Sequence, residues 1–357
     1  MDNLFCSDNS RKVGEDIIGS ATNYQTYILI ECPQPWTSEA FDSKWVPSNL
    51  KALVEEVKKA RLPIKFLLIA NSLSHKVSQT TLLIYQRKEG LGSGYVKQEF
   101  SLPNIEDVAA IIKKWLWGKL PVCELETHTT RDILVCAHGS HDRCCARYGS
   151  PFYFYASEII SDLHLDNVRI WKSTHFGGHR FAPTAIDLPE GRYYGRFEQD
   201  AFKSILTRSG NIECLNEIYR GWGILPPEIQ GLERELILRY GWDWFNYKVA
   251  GRIVEQSQDK GNILAEISFE KSDGSTYCYR AQLVKDDAKT VELKSSCGAI
   301  KESVFTKYTV TSLWEAAEKV VSLQNRTYGN SQIGEVLQEK LTADGRKWTQ
   351  INMDKYG

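Results

Sequence analysis

The chain has 357 residues, of which 42% are hydrophobic and 25% are charged. This length favours about two domains and allows a large buried core. The 44 basic and 45 acidic side chains leave a net charge of −1, whereas a protein that binds duplex nucleic acid needs a basic face. No apolar run reaches the ~18 residues of a membrane span, and the first residues lack the basic-then-apolar pattern of a secretory signal. We therefore expect a cytoplasmic protein with neither nucleic-acid nor membrane partners.

The first part of the chain predicts alternating strands and helices. Residues 1–22 are polar and predict a flexible N-terminus, and the β-branched run at 26–30 predicts a buried strand. Further strands are predicted at 64–70 and 81–86. Two helices are predicted after the capping residues Asn49 and Asn104, because apolar residues then recur at helical spacing.

A similar pattern then starts again. Strands are predicted at 132–136, 168–172 and 193–197, and helices at 153–163 and 198–206. Regions 26–118 and 131–208 both follow the order strand–helix–strand–strand–helix, which indicates an internal repeat. This mixed order favours α/β layers of the thioredoxin-like type over a doubly wound nucleotide-binding fold. Neither a G-x-G-x-x-G motif nor a Walker lysine loop is present.

The segment Leu225–Pro227 predicts a domain boundary. Beyond it we predict a helix at 228–240, strands at 246–256, 262–269, 275–284 and 290–294, and helices near 312–323 and 332–342. Residues 23–225 would then form the thioredoxin-like region, and residues 226–357 a smaller α+β module with an antiparallel sheet. That module has no histidine and only Cys278 and Cys297, so we assign no chemistry to it.

Thiols and imidazoles are concentrated in residues 136–179. This segment holds three of the nine cysteines and five of the seven histidines: Cys136, Cys144, Cys145, His138, His141, His164, His175 and His179. An odd cysteine count in a long chain is not typical of a disulfide framework. Cys136 ends one predicted strand, and His175 and His179 follow the next, in a loop whose glycines let backbone N–H groups approach a ligand closely. Two thiols and two imidazoles on neighbouring loops fit a four-ligand metal site.

Three interpretations of this segment remain open on the residues alone. Zinc accepts two cysteines and two histidines, but eight residues separate Cys136 from Cys145, and zinc knuckles usually have about two to four. A thiol–disulfide enzyme would need C-x-x-C, and the adjacent Cys144–Cys145 pair could close only a strained ring. An iron–sulfur cluster tolerates a wider loop, because two irons need more room than one zinc ion.

Four segments resemble the sucrase/ferredoxin-like family, namely Leu134–Gly139, Asp142–Ala146, His175–Pro183 and Leu188–Arg196. The resemblance covers roughly residues 22–210 and implies a thioredoxin-like ferredoxin fold with its cluster site in residues 131–210. It further implies a 2Fe–2S cluster with the ligands Cys136, Cys145, His175 and His179. The choice of Cys145 over Cys144 follows the family's spacing from Asp142.

This resemblance implies an electron-transfer or redox-sensing protein with an unidentified redox partner. A hydrolase is not expected, because we find no carboxylate pair suited to glycoside hydrolysis. The alternative function is a non-redox scaffold or binding protein in which a Cys2His2 zinc site holds the loops together.

Several neighbouring residues carry secondary expectations. We expect His138 and His141 to be solvent-facing loop residues, with a position behind the ligands as the alternative. Three arginines lie close in sequence to the predicted ligands, namely Arg143, Arg147 and Arg180. They would raise the redox potential of the cluster if their side chains face it. Arg192 and Arg196 are expected on a solvated strand face or in a docking patch for the redox partner.

Overall fold

The computed structural model describes residues 5–71, 79–119 and 130–316. A mixed sheet of nine strands lies at its centre. These strands are β1 (Thr26–Glu31), β2 (Ile64–Ala70), β3 (Thr80–Arg87), β4 (Tyr95–Leu102), β5 (Arg131–Cys136), β6 (Val168–Ser173), β7 (Thr184–Leu188), β8 (Arg192–Gly195) and β9 (Tyr219–Trp222). Their order across the sheet is β4-β3-β1-β2-β6-β5-β7-β8-β9. The predicted α/β architecture is confirmed.

Most helices of the described residues bury apolar side chains. The described helices are α1 (Cys6–Lys12), α2 (Ser48–Lys59), α3 (Val108–Leu116), α4 (Ser150–Asp162), α5 (Gln199–Thr207), α6 (Leu215–Ile218) and α7 (Gln230–Tyr240). In α2, for example, Leu50, Leu53, Val54 and Val57 are buried, and their three-to-four spacing places them on one side of the helix. Among the described residues, no helix has the length and apolarity needed to cross a membrane.

Eight of the nine strands form two units with the same topology, and β9 extends the second unit at the edge of the sheet. In the first unit, residues 26–116, β1 pairs with β2 in parallel and with β3 antiparallel, and β4 follows at the edge. In the second unit, residues 131–207, β5 pairs with β6 in parallel and with β7 antiparallel, and β8 follows. The predicted internal repeat is therefore confirmed, although each unit has one strand more than expected. The units meet through an antiparallel contact of only two residue pairs, Ile69 with Ser173 and Ala70 with Lys172.

A buried carboxylate reinforces this junction. Asp132 of the second unit is fully buried, and its oxygens accept hydrogen bonds from Lys97 Nζ at 2.7 Å and from Tyr85, both in the first unit. Arg169 Nε and Trp171 Nε1, both on β6, donate to Asp132 at 2.8 Å. A buried charge is tolerated only when it is paired and hydrogen-bonded, so this set of partners fixes how the two units sit together.

The sequence predicts that residues 1–22 are flexible, but the described part of this segment contains a helix and buried side chains. Residues 6–12 form α1, and Ser10 and Glu15 are buried although they are polar. Arg196 donates to Ser10 Oγ and to the carbonyl of Glu15, both at 2.7 Å, and Arg180 pairs with the Glu15 carboxylate at 2.9 Å. Polar residues do not mark a flexible segment here, because the second unit supplies their partners.

The C-terminal module contains the predicted antiparallel sheet. Its strands are β10 (Lys248–Gln256), β11 (Asn262–Glu270), β12 (Thr276–Lys285), β13 (Val291–Lys294), β14 (Glu302–Phe305) and β15 (Tyr308–Glu315). The four-stranded sheet has the order β10-β11-β12-β15, while β13 and β14 form a separate pair. The helix predicted near 312–323 is wrong over 312–315, where β15 runs. The remainder of that helix and the one near 332–342 lie outside the described residues.

Candidate metal centre

Two parallel strands bring the first thiol and the first imidazole together. Cys136 is the last residue of β5 and is in register with Ser173 of β6, so both strands end at the same edge of the sheet. His175 lies two residues further on. Its Nδ1 atom is 3.6 Å from the Cys136 Sγ and 3.8 Å from the Cys145 Sγ.

Cys145 returns to this edge through a single π-helical turn, Cys145–Gly149, that leads into α4. Gly149 makes this return possible. A Cβ atom at this position would lie 1.9 Å from the carbonyl oxygen of Cys136, which is well inside van der Waals contact. The turn can therefore pack against the end of β5 only with glycine at residue 149.

His179 lies beside His175, with 4.7 Å between their ring centroids. Its Nε2 atom is 2.5 Å from the carbonyl oxygen of Ser295. Its Nδ1 atom is buried and has no hydrogen-bond partner among the described residues; the closest carboxylate oxygen, Oδ2 of Asp142, is 3.5 Å away without hydrogen-bond geometry. Since buried polar atoms normally have partners, this nitrogen is a candidate ligand atom.

These side chains form two overlapping groups. The ligand-capable atoms of Cys136, Cys145 and His175 all lie within 4.8 Å of one another, and so do those of His141, His175 and His179. His175 belongs to both groups. The four residues singled out from the sequence therefore fall into two groups that share His175: both thiols belong to the first group, and His179 belongs to the second.

The two histidines of the preceding loop have different roles. His138 is 2% exposed, so the expectation of a solvent-facing side chain is wrong for it. Its Nδ1 atom accepts the backbone N–H of His175 at 3.2 Å, and its Nε2 atom donates to the carbonyl of Thr37 at 2.7 Å. His141 is exposed, as expected, but it also stacks on His175 at 4.4 Å between centroids. His138 thus supports the His175 loop, and His141 extends the imidazole group to the surface.

Burial and hydrogen bonding set the protonation of the site. Burial lowers the pKa of His175 to about 2, so its imidazole is neutral and keeps a lone pair for a metal. Burial raises the pKa of Cys136, but hydrogen bonds from Cys145 and from the backbone at His138 and Phe176 outweigh it and lower the pKa overall. The pKa of Cys145 is raised because it donates to Cys136 and is itself buried. The pair therefore favours one thiolate and one thiol, and a metal would displace the remaining proton.

One cation in contact with the histidine loop is not among those that the sequence suggested. Arg143 and Arg147 lie over the ring of Phe5, at 5.6 and 4.7 Å, and Arg180 pairs with Glu15. Arg220 on β9 instead lies behind the loop, is 1% exposed and donates to the carbonyl of Gly177 at 3.0 Å. Its position was not predictable, because β9 follows the loop by more than forty residues.

The arginines of β8 also differ from expectation. Arg192 is 1% exposed, pairs with Glu233 at 2.7 Å and lies 3.8 Å from the ring centroid of Trp222. Arg196 is buried against the N-terminal segment. Neither residue is on a solvated face or available for docking, because each charge has partners elsewhere in the fold.

The C-terminal module reaches the site, although we assigned it no chemistry. Its 295–297 segment supplies the Ser295 carbonyl next to His179 and a backbone N–H from Cys297 that donates to Asp142 Oδ2 at 2.9 Å. Cys144 points away from Cys136 and towards Cys297, with 3.2 Å between their sulfur atoms. The adjacent cysteines 144 and 145 thus face two different groups of side chains.

The donor set suits a soft or borderline transition metal. Thiolates and neutral imidazoles are the ligands that iron–sulfur clusters and zinc take, and the unpartnered His179 Nδ1 adds a nitrogen to the group around His175. The residues therefore fit both candidate cofactors in chemical type.

Comparison with known proteins places the chain in a family. Searches of curated proteins and of solved structures each found no match. Residues 17–221 match the family described as Sucrase/ferredoxin-like, and these residues contain all four predicted ligands and both units of the sheet. Since the match covers more than half of the chain, the protein belongs to the sucrase/ferredoxin-like family.

Proposed function

We propose that this chain is a cytoplasmic electron-transfer or redox-sensing protein that binds a 2Fe–2S cluster. The proposed ligands are Cys136, Cys145, His175 and His179. The observation that supports the proposal is that His175 shares one group with both thiols and an overlapping group with His179, whose buried Nδ1 atom lacks a partner among the described residues.

A 2Fe–2S cluster, when bound, takes up and releases one electron. Two thiolates neutralise a core of about 2+, whereas four would leave it at about 2−, so an added electron is accepted more easily with two imidazoles. We expect a potential above the roughly −400 mV of plant-type ferredoxins, towards the Rieske range. Buried Arg220 acts in the same direction, because its positive charge lies behind the histidine loop.

The imidazoles also connect the site to solvent and to protons. His141 is exposed and stacks on His175, so an unidentified redox partner would approach the cluster most closely on this side. An imidazole has a second ring nitrogen whose proton affinity rises when negative charge is added nearby. We therefore expect the potential to depend on pH, and a potential that stays constant across neutral and alkaline pH would contradict this coupling.

The test is to purify the full chain without oxygen and to measure iron, acid-labile sulfide and visible absorption. We expect about two irons and two sulfides per chain, a red-brown colour that bleaches on reduction with dithionite, and an electron paramagnetic resonance signal in the reduced state. Cys145→Ser should lose the colour, while the matched variant Cys144→Ser should keep it. His175→Cys and His179→Cys should change the resonance signal. A colourless chain that takes up no iron and sulfide on reconstitution would overturn the proposal.

A zinc scaffold is the second candidate, and one observation favours it. With a Zn–S bond of about 2.3 Å and a Zn–N bond of about 2.0 Å, tetrahedral zinc places sulfur and nitrogen about 3.5 Å apart. The distances from His175 Nδ1 to the two sulfurs are 3.6 and 3.8 Å. A two-iron core needs more room than this, so cluster binding would require the side chains to separate. Stoichiometric zinc that Cys145→Ser removes, in a protein that never takes up iron, would support the scaffold.

A further inference from the structure

Three cysteines from distant parts of the chain bring their sulfur atoms together in one group. Cys6 comes from α1, Cys144 from the loop after β5, and Cys297 from the C-terminal module. Their sulfur atoms are 3.3 Å apart for Cys6 and Cys144, 3.2 Å for Cys144 and Cys297, and 3.6 Å for Cys297 and Cys6. All three are free thiols. The contact joins segments up to 291 residues apart in sequence, so it is a product of the tertiary fold.

A carboxylate completes this group. Asp142 accepts the backbone N–H of Cys144 at 2.8 Å with Oδ1 and that of Cys297 at 2.9 Å with Oδ2. An oxygen of Asp142 and the three sulfur atoms all lie within 4.8 Å of one another. Ser7 Oγ donates to the Cys144 sulfur at 3.3 Å, which is the kind of hydrogen bond that stabilises a thiolate ligand.

The arrangement suits a metal ion better than simple packing or a disulfide. Tetrahedral zinc with Zn–S bonds of about 2.3 Å separates its sulfurs by about 3.8 Å. The distances observed here are 3.2, 3.3 and 3.6 Å, so binding an ion would require the sulfurs to move apart by about half an ångström or less. A disulfide would use two of the sulfurs and leave the third unused. Apolar packing would account for the thiols but not for the carboxylate beside them, whose oxygens accept two backbone N–H groups and keep further lone pairs for an ion.

We propose that Cys6, Cys144, Cys297 and Asp142 bind a zinc-class divalent cation, at a second site separate from the one proposed for the cluster. Cys144 is fully buried and Cys6 is 7% exposed, while Cys297 is partly exposed, so the ion can reach the site from the side of the C-terminal module. The bound ion joins α1, the loop after β5 and the 295–297 segment. Because Ser295 contacts His179, the ion also holds the module against the first site.

The test is to measure zinc per chain in the full-length protein and in single serine variants. Cys144→Ser, Cys6→Ser and Cys297→Ser should each lose about one equivalent of zinc, at least a tenfold reduction in occupancy of this site. The control is Cys278→Ser, which alters a buried cysteine of the C-terminal sheet and should keep the wild-type zinc content. Three serine variants that keep the wild-type zinc content would overturn the proposal.

Variants of the adjacent cysteines 144 and 145 distinguish this second site from the proposed cluster site. Cys144→Ser should lose zinc and keep iron, while Cys145→Ser should lose iron and keep zinc of the second site. If a serine variant fails to fold, the wild-type chain still gives the answer, because chelation should release one zinc and expose three reactive thiols together. Release of no zinc, or a disulfide between any two of these cysteines in protein isolated with thiols blocked, would contradict the second site.

Discussion

The two units of the sheet share a topology but differ in what they present at the ends of their parallel strands. Thr26 of β1 is in register with Ile64, and Arg131 of β5 with Val168, so the two pairs can be aligned position by position. In this alignment the position of Cys136 is taken by Glu31 in the first unit, and that of His175 by residue 71, an asparagine. Each unit therefore presents side chains at the ends of its parallel strands, and only in the second unit are these two positions a cysteine and a histidine.

The first unit contributes support to the second instead. Its loop at residues 36–38 accepts hydrogen bonds from the loop that follows Cys136. His138 donates to the carbonyl of Thr37 and Ser140 to that of Trp36, both at 2.7 Å. The comparison teaches that the fold determines where ligands can be placed, while the residues at those positions determine whether a metal can bind.

The largest expected difference between the units concerns the cysteines at their strand ends. Cys136→Ser should lose essentially all cluster iron, from about two per chain to below a tenth of that, because the cluster loses a thiolate. Cys32→Ser, at the end of β1, should keep it, because Cys32 is a buried residue of the first unit's core. Iron analysis and visible absorption measure both. Equal iron loss in the two variants would mean that cysteine burial, rather than ligation, controls cluster binding.

The junction between the units should depend on one carboxylate. Asp132→Asn leaves Lys97 and Arg169 with Glu99 as their remaining counter-charge. Breaking a buried ion pair typically costs about 3–5 kcal/mol, and we expect a loss near the lower end of that range because Glu99 compensates part of the charge. Urea unfolding of the full chain measures the change in the free energy of unfolding. Asp42→Asn breaks an exposed pair with Lys51 and should cost about 0–1 kcal/mol. Similar losses in both variants would contradict a special role for the junction.

A smaller effect is expected from the histidine that supports the loop. His138→Phe keeps a ring of similar size but cannot accept the N–H of His175, so we expect metal affinity about 10–100-fold lower. His164→Asn is the control, because His164 is at the end of α4 with a φ of 52°, which asparagine tolerates. Competition with a chelator measures affinity in both variants. Unchanged affinity in His138→Phe would show that the loop holds its shape without this hydrogen bond.

The smallest expected effect concerns how much Asp132 contributes to the loss of folding stability at acid pH. Burial raises the pKa of Asp132, but hydrogen bonds and charge from Arg169 and Lys97 outweigh it, so the pKa in the folded protein is below its usual value. The unfolded chain then binds more protons, and stability is lost as pH falls below the unfolded value of about 3.9. Unfolding measured between pH 6 and pH 3 should show a shallower loss in Asp132→Asn than in the parent chain. Identical slopes would assign the acid sensitivity to other carboxylates.

The spacing of apolar residues in the sequence was sufficient to predict the strands and helices that bury an apolar face. The strands around Ile28 and Leu134 and the helix α2 were predicted close to their observed positions, because their apolar residues recur at the spacing of one structure type. The convergence of Cys136 and His175 followed from this, since parallel strands end at the same edge. The edge strand β4 was missed because most of its side chains are only partly buried, so its sequence lacks a strong apolar pattern.

Contacts between distant segments could not be predicted in this way. Cys6 and Cys297 carry no local signal, and their meeting with Cys144 depends on how α1 and the C-terminal module pack on the second unit. Arg192 is polar and was placed on the surface, yet its charge is satisfied by Glu233, which lies 41 residues further along the chain. Burial of a charge depends on its partner, and no local pattern reveals a partner so far away.

The short contact between β2 and β6 has a consequence for any attempt to transplant the unit that carries the candidate metal centre. Two backbone pairs would be easy to cut, but Asp132 would travel with Arg169 and Trp171 while Tyr85 and Lys97 stayed behind. An excised fragment would therefore keep the Asp132 carboxylate without two of its hydrogen-bond partners. The loop after Cys136 would also lose its hydrogen bonds to the loop at residues 36–38. We conclude that the second unit cannot be moved alone into another protein, because the new host would have to supply both sets of contacts.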